Sequence, residues 1–455
     1  MNTTLRVGLL GIGTVGSGTF EVLARNQEEI RRRAGCGIQI TVVADLDTAR
    51  AEAVVKGRAR VVADAAAVVA DPDVDVVVEL IGGYGIAKAL VLEAIRRGKH
   101  VITANKALLA VHGTEIFAAA RERGVTVAFE AAVAGGIPII KALREGLTAN
   151  RIDWVAGIIN GTTNFILSEM RAKGLDFGAV LKEAQRLGYA EADPTFDIEG
   201  VDAAHKATIL SAIAFGVPVQ FDKAHVEGIT ALQAADIRYA EQLGYRIKLL
   251  GIARRREHGI ELRVHPTLIP ATRLIANVEG AMNAVVVKAD AVGNTLYYGK
   301  GAGSEPTASA VIADLVDIAR LQTADPGHRV PSLAFQPGSL ADTPILPIGE
   351  IVTSYYLRLV VADKAGVLAR ITGILAEHDI SIDAVLQRPS AEGDGQGLPA
   401  EGDGQGPPAE GGEKTDLIIL THDTVEGRMA AALAQMQALP TVLAPIVRLR
   451  KEELN

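Results

Sequence analysis

Residues 5–16 have the sequence LRVGLLGIGTVG. The apolar run 5–10 predicts a short buried strand, and apolar residues at helical spacing follow over 15–33. A G-x-G-x-x-G turn between a strand and a helix is the context in which this pattern binds a dinucleotide. Gly11 permits the tight turn, Gly13 leaves room for a pyrophosphate, and Gly16 lets the helix pack closely on the strand. The N–H groups that begin the helix are then predicted to face the phosphates.

The rest of the N-terminal part alternates strands with helices. Strands are predicted at 38–44, 74–80, 101–103 and 125–129, with helices between them that include 86–97 and 114–123. This alternation predicts a parallel sheet with helices on both faces, the Rossmann-type α/β architecture.

The pattern changes after Pro138. Helices are predicted at 165–173, 177–187 and 201–215, and strands at 152–159, 247–253, 261–268, 283–289 and 293–299. These elements indicate an α+β domain with a mixed sheet. An amphipathic helix is predicted at 305–321, and the proline-rich residues 323–349 indicate a linker.

The C-terminal residues predict a ferredoxin-like split unit. Strands at 355–361, 380–386, 415–421 and 442–449 and helices at 366–378 and 425–439 give the order β-α-β-β-α-β. Residues 389–413 interrupt this unit with glycine, proline, glutamate and glutamine, and AEGDGQG occurs twice, at 391–397 and 400–406. We expect a mobile hairpin insertion, with a partner-binding segment as the alternative.

Composition limits the class of protein. A chain of 455 residues suggests about three domains. The net charge of −8 argues against a protein that binds nucleic acid or an anionic membrane surface. The single cysteine, Cys36, excludes an intramolecular disulfide and fits a reducing compartment. With no signal-peptide pattern and no apolar run near the ~18 residues of a membrane span, we expect a cytoplasmic protein.

The second predicted strand ends in Ala44 and Asp45. An acid at this place accepts a hydrogen bond from the ribose 2′-hydroxyl of NAD and repels the 2′-phosphate of NADP. Arg50 lies nearby and can hold a 2′-phosphate, so NADP remains an alternative cofactor. The alternative is that Asp45 only caps a solvent-exposed loop.

Three polar clusters stand out from apolar surroundings. Residues 103–106, TANK, follow a strand and therefore lie at the carboxyl edge of a parallel sheet, where ligands bind. Residues 188–194, GYAEADP, predict a loop that presents Glu191, a natural partner for a substrate ammonium group. Asp202 and Lys206 share one helix face, four residues apart. The alternative to a catalytic role is a solvated lysine at the start of a helix for Lys106, and a salt-bridged structural lysine for Lys206.

These residue types suit hydride transfer from an alcohol. Such a reaction needs a group that exchanges the hydroxyl proton, and a lysine whose pKa is lowered by burial or by another cation can do so near neutral pH. His205 points roughly 100° away from Lys206 around the helix, so we do not assign it this role.

Together these residues resemble bacterial homoserine dehydrogenases of the long form with a C-terminal ACT domain. The similarity covers nearly the whole chain except 389–413. It is carried by residues 11–16, 103–106, 130–138, 160–164 (NGTTN), 187–206 and 301–303. The run from LGYAEADP at 187–194 to DAAHK at 202–206 is highly specific.

The resemblance implies reversible oxidation of L-homoserine to L-aspartate 4-semialdehyde with NAD or NADP. It makes Lys206 the proton donor and acceptor, Lys106 a second active-site lysine, and Glu191 and Asp202 substrate-binding acids. The cofactor contacts it implies, together with those from the fingerprint, are Gly11, Ile12, Gly13, Thr14, Val15, Gly16, Ala44, Asp45, Thr103, Lys106, Gly188 and Gly303.

The resemblance also implies a monovalent, sodium-like structural cation. Its ligands would be the Glu130 carboxylate and the carbonyls of Val133, Gly135 and Ile137, and oxygen ligands suit a hard cation. The C-terminal unit is similar to amino-acid-sensing ACT domains, which implies feedback inhibition by L-threonine. A homodimer or homotetramer is also implied.

We therefore expect a nucleotide-binding Rossmann domain at 1–137, completed by a helix at 304–322, and a substrate-binding and dimerisation domain at 138–303. A linker at 323–349 and an ACT regulatory domain at 350–455 follow. Two rival hypotheses remain. One is another small-substrate dehydrogenase, and the other is a non-catalytic amino-acid and nucleotide sensor, which would need no paired lysines.

Overall fold

The computed structural model describes residues 4–321, 329–389 and 414–455. The N-terminal unit alternates strands and helices in this order: β1 (Leu5–Leu10), α1 (Thr14–Arg25), α2 (Gln27–Ala34), β2 (Ile38–Ala44), α3 (Thr48–Val55), β3 (Arg60–Val62), α4 (Ala65–Ala70), β4 (Val76–Glu79), α5 (Gly85–Arg96), β5 (His100–Thr103), α6 (Lys106–Glu122) and β6 (Val127–Ala128).

These strands form a parallel sheet in the order β3-β2-β1-β4-β5-β6, which confirms the predicted Rossmann-type fold. Successive side chains of β1 and β4 point to opposite faces, so each face has its own core. One core packs against α1 and α2, and the other against α4, α5 and α6.

One predicted helix is divided. The pattern over 15–33 predicts a single helix, but α1 ends at Arg25 and α2 begins at Gln27. Asn26 lies between them with φ −105° and ψ 19°. Asparagine is a poor helix former because its side chain competes with the backbone for hydrogen bonds. The Gln27 side chain then donates to the Ile38 carbonyl at 2.8 Å, which ties α2 to the sheet.

The second unit follows with these elements: α7 (Ile139–Lys141), β7 (Ile152–Ile158), α8 (Gly161–Lys173), α9 (Phe177–Arg186), α10 (Thr195–Ile198), α11 (Val201–Phe215), β8 (His225–Val226), α12 (Ala234–Gln242), β9 (Tyr245–Arg255), β10 (Ile260–Pro270), β11 (Met282–Ala289), β12 (Gly293–Lys300) and α13 (Ser304–Leu321). The sheet is mixed, as predicted: β12, β11, β7, β9 and β10 pair antiparallel, and the short β8 pairs parallel to β10.

Helix α13 returns to the N-terminal unit. Its apolar face belongs to the same core as β1 and α1. Ser304 Oγ donates to the Thr14 carbonyl at 2.9 Å, and Arg25 forms an ion pair with Glu305 at 2.7 Å. The end of the sequence-predicted helix, residue 322, lies outside the described residues.

The C-terminal unit contains β13 (Val352–Ala362), α14 (Val367–Glu377), β14 (Ile382–Pro389), β15 (Lys414–Thr421), β16 (Thr424–Val425), α15 (Glu426–Gln437) and β17 (Val447–Lys451). Its main strands pair in the order β17-β13-β15-β14, which is the predicted ferredoxin-like arrangement. Apart from Pro389, the predicted insertion 389–413 lies outside the described residues.

The sheets of the second and C-terminal units are continuous. Strand β17 pairs parallel to β10, with Thr267 opposite Arg450 and Leu268 opposite Lys451. Buried charges line this junction. Arg263 is 0% exposed and forms ion pairs with Glu261 and Glu452, and Arg450 pairs with Glu227 at 2.9 Å and Glu426 at 2.7 Å.

Candidate functional site

Two distant lysines meet at one carboxylate. Asp202 lies in the first turn of α11, where the positive end of the helix dipole favours an acid. Its side chain is 4% exposed, and Lys206 Nζ lies 2.6 Å from its Oδ2 atom. Lys106, the first residue of α6, places its Nζ 3.3 Å from Oδ1. The structure therefore brings three of the four predicted catalytic and substrate-binding residues together.

The two lysines have different surroundings. Lys206 Nζ also donates to the carbonyl of Ile159 at 2.8 Å, and its side chain is 12% exposed. The Lys106 side chain is 36% exposed. Lys206 therefore donates to two oxygen acceptors inside the protein. Lys106 lies on the side of the cluster that faces solvent.

The charge state of Asp202 follows from its neighbours. Burial would raise the pKa of the Asp202 carboxyl, but Lys206, Lys106 and the amide of Asn160 lower it to about 2. The carboxylate is therefore ionised at neutral pH. This agrees with the rule that a buried charge needs an opposite charge or hydrogen bonds beside it.

His205 does not face the cluster. Its ring is 1% exposed and packs near Phe196 and Phe221, with ring centroids 5.3 Å and 4.2 Å away. Burial lowers the pKa of His205 to about 4, so the ring is neutral at pH 7.

The glycine turn matches the geometry that a dinucleotide needs. Gly11 has φ +93°, and a Cβ there would lie 2.9 Å from the Leu80 carbonyl oxygen. A Cβ at Gly16 would lie 2.1 Å from the Gly11 oxygen, so only glycine fits. A Cβ at Gly13 would meet open space, and Gly13 caps α1 without a side-chain hydrogen bond. The start of α1 therefore offers backbone N–H groups to an anion from outside.

Family comparisons place this geometry in context. The family model "Homoserine dehydrogenase, NAD binding domain" matches residues 11–130, "Homoserine dehydrogenase" matches 138–316, and "ACT domain" matches 355–402. A homoserine dehydrogenase of Pseudomonas aeruginosa is 59% identical over 99% of both chains. The chain belongs to the homoserine dehydrogenase family. It is therefore an NAD(P)-dependent oxidoreductase with a C-terminal ACT domain.

Solved homoserine dehydrogenases have the same fold. A crystal structure from Thiobacillus denitrificans superposes with a TM-score of 0.92 at 62% identity and covers 100% of this chain and 99% of its own. A hyperthermophilic archaeal homoserine dehydrogenase in complex with NADPH has a TM-score of 0.61 at 25% identity. That match covers 71% of this chain and 99% of the archaeal chain.

Asp45 supports the glycine turn directly. One carboxylate oxygen accepts the N–H of Ile12 at 2.7 Å and the other accepts the N–H of Asp47 at 2.9 Å. The carbonyl of Ala44 accepts the N–H of Gly11 at 2.8 Å. The local-loop role that the sequence left open for Asp45 is thus present. Each oxygen still has a lone pair for a ribose hydroxyl.

Thr103 contacts a buried acid that the sequence analysis missed. Its hydroxyl donates to Glu79 Oε2 at 2.6 Å, and Glu79 is 0% exposed. The other oxygen of Glu79 accepts the N–H groups of Ile81 and Gly82, both at 2.9 Å. Glu79 thereby holds the loop after β4 beside the glycine turn. Its position at the end of a predicted strand was the available signal.

Glu191 is placed near the cluster but not joined to it. Its loop packs on the start of α8, because Thr162 Oγ1 donates to the Tyr189 carbonyl at 2.7 Å. The Glu191 side chain is exposed, and it makes no hydrogen bond or ion pair with another residue in the described ranges. The loop geometry leaves this carboxylate open to an external cation.

The two other glycines with predicted cofactor contacts lie in different places. Gly303 has φ +128° and directly precedes Ser304, whose hydroxyl bonds Thr14 in the glycine turn. Gly188 has φ +77° and follows α9 on the Glu191 loop. Gly303 therefore lies next to the glycine turn, whereas Gly188 lies on the loop that carries Glu191.

The proposed cation loop has oxygen donors and a buried acid. Glu130 is 2% exposed, and burial raises the pKa of its carboxyl to about 7. Its oxygens accept the N–H groups of Ile140 and Lys141 at 3.0 Å and 2.9 Å. Gly135 has φ +40°, as the sharp turn requires, and the carbonyl of Ile137 accepts the N–H of Ile139. The donor set suits a hard cation.

In residues 4–321, 329–389 and 414–455, no group of three or more His, Cys, Asp or Glu side chains is arranged to hold a metal ion. No helix in the same ranges is long and apolar enough to cross a bilayer.

Proposed function

We propose that this chain interconverts L-homoserine and L-aspartate 4-semialdehyde, with Lys206 moving the proton at the substrate oxygen. The observation that supports this role is the contact of both Lys206 and Lys106 with Asp202. When bound, a nicotinamide dinucleotide would supply the hydride acceptor for oxidation and the hydride donor for reduction. A lysine in contact with a buried acid and with a carbonyl is fixed in orientation, as proton transfer to a defined atom requires.

Asp202 holds the two ammonium groups in place. In the oxidation direction Lys206 accepts the hydroxyl proton as the carbonyl forms, and in the reduction direction it returns that proton. Lys106 then contributes positive charge beside the developing oxyanion. Because Asp202 stays ionised at neutral pH, it is not itself the proton carrier.

Glu191 is proposed to bind the substrate ammonium group. Its carboxylate is exposed on a loop whose backbone is fixed by Thr162. A charge-assisted hydrogen bond to an ammonium group suits this carboxylate. The start of α8 contacts both this loop, through Thr162, and Asp202, through Asn160.

Residues 11–16, Ala44, Asp45, Thr103, Gly188 and Gly303 are proposed to bind the dinucleotide. We propose that Asp45 favours NAD, because an acid at the end of the second strand would repel a 2′-phosphate. The archaeal relative binds NADPH, so kinetics with both cofactors decide the preference. Glu130, Val133, Gly135 and Ile137 are proposed to hold a sodium-like ion with a structural role only.

The ACT unit is proposed to mediate feedback inhibition by L-threonine. The enzyme then acts in threonine, methionine and isoleucine biosynthesis. A homodimer or homotetramer is proposed as the assembly. The proposed domains of each chain span residues 1–137, 138–303, 323–349 and 350–455. The continuous sheet from β10 to β17 gives the ACT unit a direct mechanical connection to the substrate domain.

The rival chemistry through a thiol is not supported. Cys36, the only cysteine of the chain, is buried in the core of the nucleotide unit. A covalent thioester route needs an accessible thiolate beside the substrate. The paired lysines around Asp202 instead suit direct oxidation of an alcohol.

The proposed activity is tested by the absorbance of the reduced nicotinamide. Purified protein is mixed with L-homoserine and either NAD or NADP. We expect an increase with at least one cofactor, and a decrease when aspartate 4-semialdehyde and the reduced cofactor are supplied. A folded sample without either signal would contradict the proposal.

A further inference from the structure

Asn160 connects the carboxylate of Asp202 to a second carboxylate, that of Asp197. It follows β7, is 4% exposed, and its Nδ2 atom donates to Asp202 Oδ2 at 2.8 Å and to Asp197 Oδ1 at 2.6 Å. In the sequence, Asn160 stands out only as part of the NGTTN motif, and nothing marks Asp197. An asparagine between a strand and a helix is a recognised N-cap pattern.

The orientation of the Asn160 amide is fixed from its other side. Its Oδ1 atom accepts the N–H of Thr163 at 2.8 Å and the hydroxyl of the same residue at 3.0 Å. With the oxygen committed to the start of α8, both amide N–H bonds point to the carboxylates. The Asn160 side chain therefore fixes both the start of α8 and the orientation of the Asp202 carboxylate.

Asn160 and Lys206 share one oxygen of Asp202. Both donate to Oδ2, and Lys106 approaches Oδ1. The Asn160 amide and the Lys206 ammonium group therefore compete for the same carboxylate oxygen. The amide also holds the carboxylate plane in the one orientation that reaches both lysines.

We propose that Asn160 is a positioning residue that acts through Asp202 and affects the pH dependence of the reaction. This inference rests on the proposed function of Lys206. The charged groups that face Asp202 are Lys106, Lys206 and, across the Asn160 amide, Asp197. His205 on the same helix is neutral at pH 7.

The test substitutes Asn160→Ser in the full-length chain. Serine keeps an N-cap acceptor for Thr163 but is too short to reach both acids. We expect kcat for homoserine oxidation to fall by roughly 10-fold or more. The rising limb of its pH profile should move to higher pH, by about one unit or less, because Asp202 Oδ2 then interacts with Lys206 alone. The KM for homoserine should change less than kcat.

Asn164→Ser is the matched control. Asn164 lies in the same helix, is 1% exposed, and bonds the backbone of Val278 and Gly280 instead of an acid. This variant should have a lower Tm than the unaltered chain but the same pH profile. A second variant, Asp197→Asn, removes a negative charge while keeping the side-chain shape, so its rising limb should move to lower pH. It decides the question if Asn160→Ser does not fold.

The outcomes separate the two proposals. An active unaltered chain and an Asn160→Ser variant with an unchanged pH profile would overturn the positioning role and leave the proposed function intact. The same holds if Asn164→Ser shifts the profile equally, or if Asp197→Asn leaves it unmoved. An unaltered chain that is folded but inactive would overturn both.

Discussion

Asp202 Oδ2 lies 2.6 Å from Lys206 Nζ, one helical turn further along α11. A carboxylate and an amine at i and i+4 often form surface pairs that contribute only a few tenths of a kcal/mol. Here both side chains are largely buried and a second ammonium group, that of Lys106, approaches the same acid. The arrangement therefore concentrates charge at one largely buried point, which is typical of a catalytic site.

The first prediction concerns the acid. Asp202→Asn keeps the size of the side chain but leaves two ammonium groups without their counter-charge. We expect kcat to fall by about 10²-fold or more, because the lysines lose both orientation and charge balance. Steady-state kinetics measure this effect. Asp75→Asn, which removes a surface partner of Arg6, should keep full activity. Near-normal turnover by Asp202→Asn would argue against a central role for this acid.

The second prediction concerns substrate binding. Glu191→Ala should raise the KM for homoserine by roughly 10-fold or more and change kcat less, because it removes a contact made in both ground and transition states. Glu183→Ala on the neighbouring helix removes an acid that pairs with Arg186 at the surface and should be neutral. An unchanged KM in Glu191→Ala would exclude the ammonium-binding role.

The third prediction concerns the junction with the ACT unit. Arg263→Ala leaves the buried carboxylates of Glu261 and Glu452 without their shared cation. Loss of one partner from a buried ion pair costs about 3–5 kcal/mol of the free energy of unfolding. Urea unfolding measures this loss. Arg186→Ala, in an exposed pair, should leave the free energy of unfolding nearly unchanged. Equal effects of the two variants would show that the junction contributes little.

The fourth prediction concerns acid stability. Two carboxyls have a folded-state pKa of about 2, Asp202 and Glu452, whereas unfolded acids titrate near 4. Since the folded pKa lies below the unfolded one, the stability these groups contribute is fully present above pH ~4 and is lost as pH falls toward 2. Urea midpoints between pH 7 and 3 should therefore fall steeply below pH 4. A Glu452→Gln variant should show a shallower fall, and an identical slope would contradict the assignment.

The sequence predicted much of the fold because the periodic segments were unambiguous. Strand β2 and helix α11 have the predicted bounds, and both carry strong apolar patterns. Helices α3 and α4 were not predicted, since residues 48–70 are mostly small or β-branched and have no clear period. The division at Asn26 depends on a single residue that the apolar pattern does not mark.

The site was predicted less completely than the fold. Lys106, Asp202 and Lys206 were identified from polar residues in apolar surroundings, and the structure brings them together. Asn160 and Asp197 were missed because their importance lies in a contact between residues 37 positions apart. The sequence also did not predict that β10 and β17 belong to one sheet. Parallel partners as far apart in the chain as Thr267 and Arg450 leave no local pattern in the sequence.

Lys206→Ala tests the central claim most directly. Nicotinamide absorbance during homoserine oxidation, with cofactor binding measured separately by fluorescence titration, compares this variant with the unaltered chain and with Lys173→Ala, an exposed lysine paired with Glu169. We predict that Lys206→Ala binds cofactor normally and turns over at least about 10²-fold more slowly, while Lys173→Ala is unaffected. A Lys206→Ala enzyme with normal kcat would contradict the assignment of proton transfer to this lysine.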